Sequence, residues 1–122
     1  MIKDFYNILK AVLKNILLQK TALKICGIRS LEEIQALKDL PIDYFGCIFA
    51  SKSPRCVSVD LAKEITNVAH SAGKQTVGVF VDAPLEQMVD MVYLTRMDVV
   101  QLHGAESVAF CKTLKSLGIR VW

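Results

Sequence analysis

The feature that most constrains this chain is a regular alternation of short apolar segments with longer helical patterns from Thr21 onward. The apolar segments are rich in β-branched residues, and the alternation repeats about every 22 to 31 residues, a rhythm typical of βαβ units. The apolar runs are nearly continuous, as expected of parallel strands that are covered on both faces. The sequence therefore predicts an α/β fold built on a parallel sheet.

The pattern predicts alternating strands and helices to the last residue. Strands are predicted at 22–26, 44–50, 76–81, 99–102 and from 119 onward, and helices near 31–39, 59–72, 85–95 and 106–117. Caps support these boundaries: a Ser30–Glu33 capping box, Ser58 before the second helix, Gly73 and Gly118 after helices, and Pro84 in a first turn. These units alone do not choose between an open doubly wound sheet and part of a barrel, because right-handed crossovers build both.

The first 21 residues form a separate segment before this alternation. Lys10 and Lys14 interrupt its apolar stretch, which leaves neither a signal peptide nor a membrane span. Its apolar residues recur at helical spacing and predict an amphipathic helix: Ile2, Phe5, Leu9, Val12, Leu13 and Ile16. Such a helix packs on the domain or binds a membrane or partner, or is a remnant of a fused upstream domain. We treat 1–21 as an N-terminal amphipathic helical extension and 22–122 as one domain.

Composition excludes several classes of protein. The 122 residues are 52% hydrophobic and 22% charged, and the net charge of +3 is spread along the chain, so no nucleic-acid partner is expected. No Gly-rich nucleotide motif or closely spaced metal-ligand cluster occurs, so neither a cofactor nor a metal is expected. The irregular spacing of the cysteines indicates reduced thiols and a cytoplasmic protein: Cys26, Cys47, Cys56 and Cys111.

Ligands of both α/β architectures bind at the carboxyl ends of the strands, and several polar residues are predicted there. Cys26 ends the first strand beside Gly27, where its thiol could act as a base only with positive charge or a helix N-terminus nearby. Packing is the simpler interpretation of a lone strand cysteine. Arg55, in a long polar loop, either binds a carboxylate or phosphate or is simply part of a solvated loop. Gln101 and His103 share one face of the fourth strand. Buried polar side chains need partners, so these two residues either contact a ligand or form a structural hydrogen-bonded pair.

Four segments in order carry a resemblance to a known family: LKICGI at 23–28, FGCIF at 45–49 with KSPRCVS at 52–58, VGVFV at 77–81, and DVVQLHG at 98–104. Together they resemble phosphoribosylanthranilate isomerases. The resemblance covers about 22–122 and implies the N-terminal half of a (βα)8 TIM barrel, with four βα units and the start of strand 5. Residues 1–21 have no counterpart in it.

The resemblance implies an isomerase of tryptophan biosynthesis that works without a cofactor. Its substrate is an anthranilate joined to a phosphorylated ribose, which undergoes an Amadori rearrangement. By residue-to-residue correspondence, Cys26 is the general base, Arg55 holds the anthranilate carboxylate, and Gln101 and His103 line the pocket.

The same resemblance places the general acid, an aspartate ending strand 5, and the phosphate-binding loops beyond Trp122. We therefore expect this chain alone to be inactive. A half-barrel leaves two sheet edges open, so self-association or pairing with a C-terminal half-barrel is expected. The alternatives are a noncatalytic half-barrel subunit and an open-sheet flavodoxin-like binding domain. The interior face is expected to include Ile25, Ile48, Val79 and Val100.

Overall fold

The computed structural model describes residues 2–16 and 21–122 as helices and strands in alternation. The helices are α1 (Ile2–Ile16), α2 (Leu31–Leu37), α3 (Val59–Ser71), α4 (Leu85–Thr95) and α5 (Val108–Ser116). The strands are β1 (Lys24–Cys26), β2 (Tyr44–Ile48), β3 (Gln75–Phe80), β4 (Val99–Leu102) and β5 (Arg120–Val121). Each element predicted after residue 21 is present, with ends that differ from the prediction by at most two residues. Met1 and residues 17–20 of the predicted extension lie outside the described residues.

The five strands are all parallel and lie in sequence order, β1-β2-β3-β4-β5. Each crossover therefore moves the chain one strand in the same direction, and right-handed crossovers of this kind place their helices on a single face of the sheet. A doubly wound sheet instead reverses its strand order at a switch point and carries helices on both faces. The flavodoxin-like alternative is therefore wrong, and the sheet is half of a barrel.

The two faces of the sheet have different cores. On one face, strand side chains such as Phe45, Phe80 and Val100 form a buried cluster with helix residues, among them Ile34, Ile65, Met88 and Leu114. On the other face the cluster consists of strand residues alone: Val77, Val79 and Val99, with Tyr44 and Ile48 packed against them. The first face is the outside of the barrel wall, and the second is its concave interior.

Strand register shows that two of the four residues predicted for the interior face lie on the other face of the sheet. Ile48 pairs with Val79, and both belong to the concave face as predicted. Ile25 pairs with Phe45, and both lie in the helix-side cluster, as does Val100. Placing Ile25 and Val100 in the interior was therefore wrong, because neighbours in register share a face and alternate residues point to opposite faces.

Local caps fix the ends of the helices. The side chains of Ser30, Ser58 and Ser107 accept hydrogen bonds from the first turns of α2, α3 and α5. Pro84, predicted inside the first turn of α4, is instead its N-cap, with extended backbone. His70 is exposed, and its Nε2 lies 2.8 Å from Asp98 Oδ2, which also accepts the backbone N–H of Thr76.

Helix α1 packs against α2 with only part of its apolar stripe. Leu9 and Leu13 are buried in the helix-side cluster. Phe5, Ile8 and Val12 remain 48%, 66% and 49% exposed. Packing on the domain, one of the three alternatives for this helix, thus occurs on one side of the stripe, while the other side is uncovered. Within residues 2–16 and 21–122, no helix has the length and apolar character needed to cross a membrane.

Candidate active site

Cys26 lies at the carboxyl end of β1, with its side chain exposed. Its partner in the neighbouring strand is Gly46. A Cβ atom at Gly46 would lie 2.9 Å from the Cys26 Sγ and 3.2 Å from the Cys26 Cα. The thiol therefore rests against a backbone that carries no side chain, and Gly46 makes this close approach of the two strands feasible.

The chain turns sharply after Cys26. Gly27 has a φ of +84°, a conformation that L side chains rarely adopt. The backbone N–H groups of Gly27 and Ile28 both donate to the carbonyl of Gly46, at 3.0 Å each. A Cβ at Gly27 would meet Arg55 at 2.9 Å from Cδ and 3.0 Å from Nη1. The Arg55 side chain thus packs against Gly27, the residue next to Cys26.

The loop between β2 and α3 folds back on its own strand and so carries Arg55 to this position. Cys56 forms a parallel bridge with Ile48, and the N–H of Val57 donates to the Ile48 carbonyl at 3.0 Å. The N–H of Arg55 donates to Ser53 Oγ at 3.2 Å. These contacts hold the backbone on both sides of Arg55, while its guanidinium stays accessible from solvent.

Cys26 and Arg55 line the same cleft, which has a volume of about 480 Å³. Arg29 and Glu33 also line it, and its remaining wall is largely apolar: Ile2, Phe5, Ile25, Ile28 and Leu37. The cleft therefore combines a thiol, the Arg55 guanidinium, an ion pair between Arg29 Nε and Glu33 Oε1 at 3.6 Å, and apolar surface. The Arg55 guanidinium and the apolar surface suit an anionic aromatic ligand. Gln101 and His103, the other two predicted site residues, do not line this cleft.

Gln101 and His103 lie at the carboxyl end of β4. Gln101 Oε1 accepts a hydrogen bond from Lys24 Nζ. This contact spans from β4 to β1 across the concave face, so the sheet is curved enough for side chains three strands apart to meet. His103 is exposed, and its backbone N–H donates to the Phe80 carbonyl at 2.9 Å. Lys24 was not among the predicted site residues, although its position two residues before Cys26 puts both on one face.

Two carboxylates hold the loops after β3 and β4 together. Glu106 accepts the N–H of Asp82 at Oε2 and the N–H of Gly104 at Oε1, both at 2.8 Å. Asp82, whose φ is +49°, accepts the N–H of Ala105 at 2.8 Å. This reciprocal arrangement, the carboxylate clamp of Asp82 and Glu106, fixes the backbone directly after His103. No sequence pattern predicts it, because the two acids are 24 positions apart and meet only through strand register.

Cys47, the neighbour of Gly46 in β2, is buried, whereas Cys26 is exposed. Its side chain faces the helices and is fully buried. Burial, followed by the nearby Cys26 thiol, raises the pKa of Cys47 from 9.0 to about 12. Cys47 therefore stays protonated at neutral pH and serves as core packing. Among the described residues, no group of three or more His, Cys, Asp or Glu side chains could hold a metal ion.

A curved parallel sheet with helices on its outer face and a polar cleft at the carboxyl ends of its strands defines half of a (βα)8 barrel of the enzyme type. Comparison with known proteins identifies the family within this class. The family model for N-(5'-phosphoribosyl)anthranilate isomerase matches residues 23–122, and the chain belongs to this family.

Relatives in sequence and in structure bear the same family name. The isomerase of Oceanobacillus iheyensis is 44% identical over 91 residues, which are 75% of this chain and 44% of that protein. The Bacillus subtilis isomerase is 38% identical over 106 residues, 86% of this chain and 48% of the relative. The crystal structure of the Thermotoga maritima isomerase matches with a TM-score of 0.73 at 31% identity, covering 83% of this chain and 48% of the other.

Another similar structure, with the same TM-score of 0.73 and 31% identity, is a complex with reduced 1-(o-carboxyphenylamino)-1-deoxyribulose 5-phosphate and covers 83% of this chain and 51% of the other. In each case the chain spans about half the length of the relative that it matches.

Proposed function

We propose that this chain supplies the N-terminal half of a phosphoribosylanthranilate isomerase site, with Cys26 as general base and Arg55 as substrate carboxylate ligand. One observation carries the proposal. Cys26 and Arg55, 29 positions apart in sequence, share one cleft at the carboxyl end of the sheet within the family-matched segment. In this proposal 22–122 form the half-barrel, and 1–21 form an extension outside the family match.

The cleft suits the anthranilate end of the substrate. A guanidinium can form paired, charge-assisted hydrogen bonds with a carboxylate, and Arg55 keeps its guanidinium exposed beside the thiol. The apolar wall of the cleft accommodates an aromatic ring. Gln101, on the concave face, and His103, just beyond the carboxyl end of β4, would line the pocket once the barrel is complete. Lys24 holds the Gln101 amide and orients it.

The proposed chemistry is acid-base catalysis of an Amadori rearrangement. A general acid protonates the furanose oxygen, and the ring opens to a Schiff base between C1 and the anthranilate nitrogen. The Cys26 thiolate then removes the C2 proton, which leaves an enolamine. Protonation at C1 and loss of the enol proton convert the enolamine to the 2-ketose. No atom is gained or lost, as an isomerisation requires.

In this proposal the chain contributes the base but neither the general acid nor the phosphate loops. Removing one partner of an acid-base pair typically lowers a rate by about 10²- to 10⁴-fold. Losing the phosphate contacts also removes binding energy that positions the sugar. We therefore expect the chain alone to be inactive, and activity to require a C-terminal half-barrel.

The test is reconstitution with the C-terminal half of the Oceanobacillus iheyensis isomerase, following the loss of substrate fluorescence. We expect activity from the mixture and none from either part. Cys26→Ala in this chain should lower the activity of the mixture at least about 100-fold, while Cys111→Ala, which changes a thiol on α5, should leave it unchanged. Activity of this chain alone, or an active Cys26→Ala mixture, would contradict the proposal.

A further inference from the structure

Two of the free thiols occupy equivalent positions beside β2. Cys26 pairs with Gly46, and Cys56 pairs with Ile48, both in parallel orientation. In each case the N–H of the residue after the cysteine donates to the carbonyl of the β2 partner at 3.0 Å. The loop after β2 thus repeats the pairing of β1, two residues further along the strand.

Both cysteines lie on the same edge of β2. In a parallel ladder the backbone groups of one residue point to one neighbouring strand and those of the next residue point to the other. Phe49 donates its N–H to the Val79 carbonyl in β3. Ile48 and Gly46 therefore both point to the opposite edge, where β1 lies. Cys56 stands where a straight continuation of β1 would place the second residue after Cys26.

The two thiols also belong to the same face of the sheet. Ile25 precedes Cys26, Val57 follows Cys56, and both of these apolar neighbours pack in the helix-side cluster. Consecutive residues of an extended chain point to opposite faces, so Cys26 and Cys56 both belong to the concave face. Both are exposed, whereas Cys47 is buried on the helix side.

The spacing of these two positions is within reach of a disulfide. Two residues of a strand span about 6.6 Å, and disulfides join Cα atoms up to about 6.8 Å apart. The Cys56 thiol is held only weakly, because its Sγ lies 3.9 Å from the Val57 carbonyl oxygen. Rotation about the Cα–Cβ bond of Cys56, with a small shift of its loop, brings the two sulfur atoms together.

From this arrangement we infer that Cys26 and Cys56 form a reversible oxidation site, with a peroxide as the oxidant and a disulfide as the product. Arg55 precedes Cys56 and packs its side chain against Gly27, so a positive charge lies between the two thiols. Exposed cysteines beside positive charge are the ones that react as thiolates.

The oxidation proceeds in two balanced steps. The Cys26 thiolate attacks one peroxide oxygen and the O–O bond breaks, which gives a sulfenic acid and a hydroxide that takes up the proton released by Cys26. The Cys56 sulfur then attacks the sulfenic sulfur, the S–S bond forms, and the hydroxyl group leaves with the Cys56 proton as water. The two thiols lose two electrons, and the peroxide gains them.

The disulfide removes the candidate base and ties the loop of Arg55 to the end of β1, so it switches off the proposed isomerisation. The pairing of the thiols rests on strand register and not on the proposed function. It is therefore tested on this chain alone, without substrate or a second half-barrel.

The test treats the reduced chain with hydrogen peroxide and maps its disulfides by mass spectrometry of peptides. We expect the four free thiols to fall to two, in a monomer whose Cys26 and Cys56 peptides are linked, and dithiothreitol to restore all four. Equilibrated with glutathione, this disulfide should be at least about tenfold more stable in the folded chain than in urea. Linkage through Cys47 or Cys111, oxidation of Cys26 without a disulfide, or equal stability in urea would overturn the inference.

Two variants separate this pair from general thiol oxidation. In Cys56→Ser, peroxide should leave Cys26 as a sulfenic acid that dimedone labels, with no intrachain disulfide. Cys111→Ser is the matched control, because it removes a thiol on α5, and it should form the disulfide as the unsubstituted chain does. An intrachain disulfide in Cys56→Ser, or its loss in Cys111→Ser, would refute the pair.

The reconstituted isomerase separates this inference from the proposed function. Peroxide should abolish its activity, and dithiothreitol should restore it, in step with the Cys26–Cys56 disulfide. A mixture that carries the disulfide and keeps its activity would contradict Cys26 as the general base while supporting the oxidation site.

Discussion

At the residue scale, Gly46 determines how closely β1 and β2 approach at the thiol. The atoms nearest to a Cβ placed at Gly46 all belong to Cys26, so a side chain at this position would clash with the candidate base. Gly73 differs, because no atom lies within 4 Å of a Cβ placed there and its φ is +74°. The two glycines are therefore required for different reasons, one for space and the other for backbone conformation.

A double-mutant cycle tests the spatial role of Gly46. We expect Gly46→Ala to lower the free energy of unfolding by about 1–3 kcal/mol through overpacking. In a Cys26→Ala background the cost should fall by about 1 kcal/mol, because the Sγ contact is removed. Gly73→Ala, as control, should cost about 1 kcal/mol in both backgrounds. Urea unfolding measures all four values, and additive effects for Gly46 and Cys26 would contradict the packing described.

Cys47 makes the stability of the fold sensitive to alkaline pH. In the unfolded chain its thiol ionises near pH 9, whereas in the folded chain burial raises its pKa to about 12. Its stabilising contribution is therefore complete below pH 9 and is lost between pH 9 and 12, by about 1.4 kcal/mol per pH unit. We expect Cys47→Ala to be less stable at pH 8 but to lose less stability from pH 9 to 10.5.

Urea unfolding across that pH range measures the difference between Cys47→Ala and the unsubstituted chain. Cys111→Ala is the control, and it should retain the steeper alkaline decline because its thiol lies on α5 and is only partly buried. Parallel pH profiles for Cys47→Ala and the unsubstituted chain would show that ionisation of Cys47 does not limit alkaline stability.

At the scale of elements, the carboxylate clamp joins two loops that no secondary structure connects. Glu106 uses both carboxylate oxygens, so Glu106→Gln retains one acceptor and loses the other. We expect a loss of about 1–2 kcal/mol in unfolding free energy. We also expect amide hydrogen exchange at Asp82 and Gly104 to become about tenfold faster.

The control for the clamp is Glu86→Gln, which neutralises an exposed acid in the first turn of α4. Its effect should be confined to that helix end and leave the amides of Asp82 and Gly104 unchanged. Protection of both amides in Glu106→Gln equal to that in the unsubstituted chain would show that the clamp does not hold the loops.

At the scale of the whole molecule, the concave face is spanned by side chains from distant strands. The rings of Tyr44 and Trp122 meet edge to face, with centroids 4.8 Å apart. Arg120 Nη1 donates to Oε1 of Gln75, the register partner of Tyr44, at 3.0 Å. These contacts connect β5 to β2 and β3 and help the half-barrel keep its curvature.

Trp122 is the only tryptophan of the chain and therefore reports on barrel closure. Its side chain is 46% exposed. Further strands beyond β5 should bury it, shifting its emission to shorter wavelength and lowering acrylamide quenching at least about twofold. The probe is a C-terminal half-barrel with its tryptophans replaced by phenylalanine. Unchanged emission in a complex isolated by size-exclusion chromatography would contradict closure at β5.

The sequence by itself determined the elements, their order and the family. Alternation with periods of 2 and 3.6 residues is local information, and after residue 21 it predicted each helix and strand to within two residues. The four motif segments likewise sufficed to select Cys26 and Arg55, which share a cleft. Gln101 and His103 were selected in the same way, but they lie outside that cleft.

Only the tertiary structure decided which residues meet across elements. Ile25 and Val100 face the helices because register, which local pattern does not encode, assigns their side of the sheet. The Lys24–Gln101 contact depends on sheet curvature. The division of the α1 stripe into a buried and an exposed side depends on the packing of that helix against α2. Periodicity specifies which residues share a face, but the pairing of distant segments specifies what that face contacts.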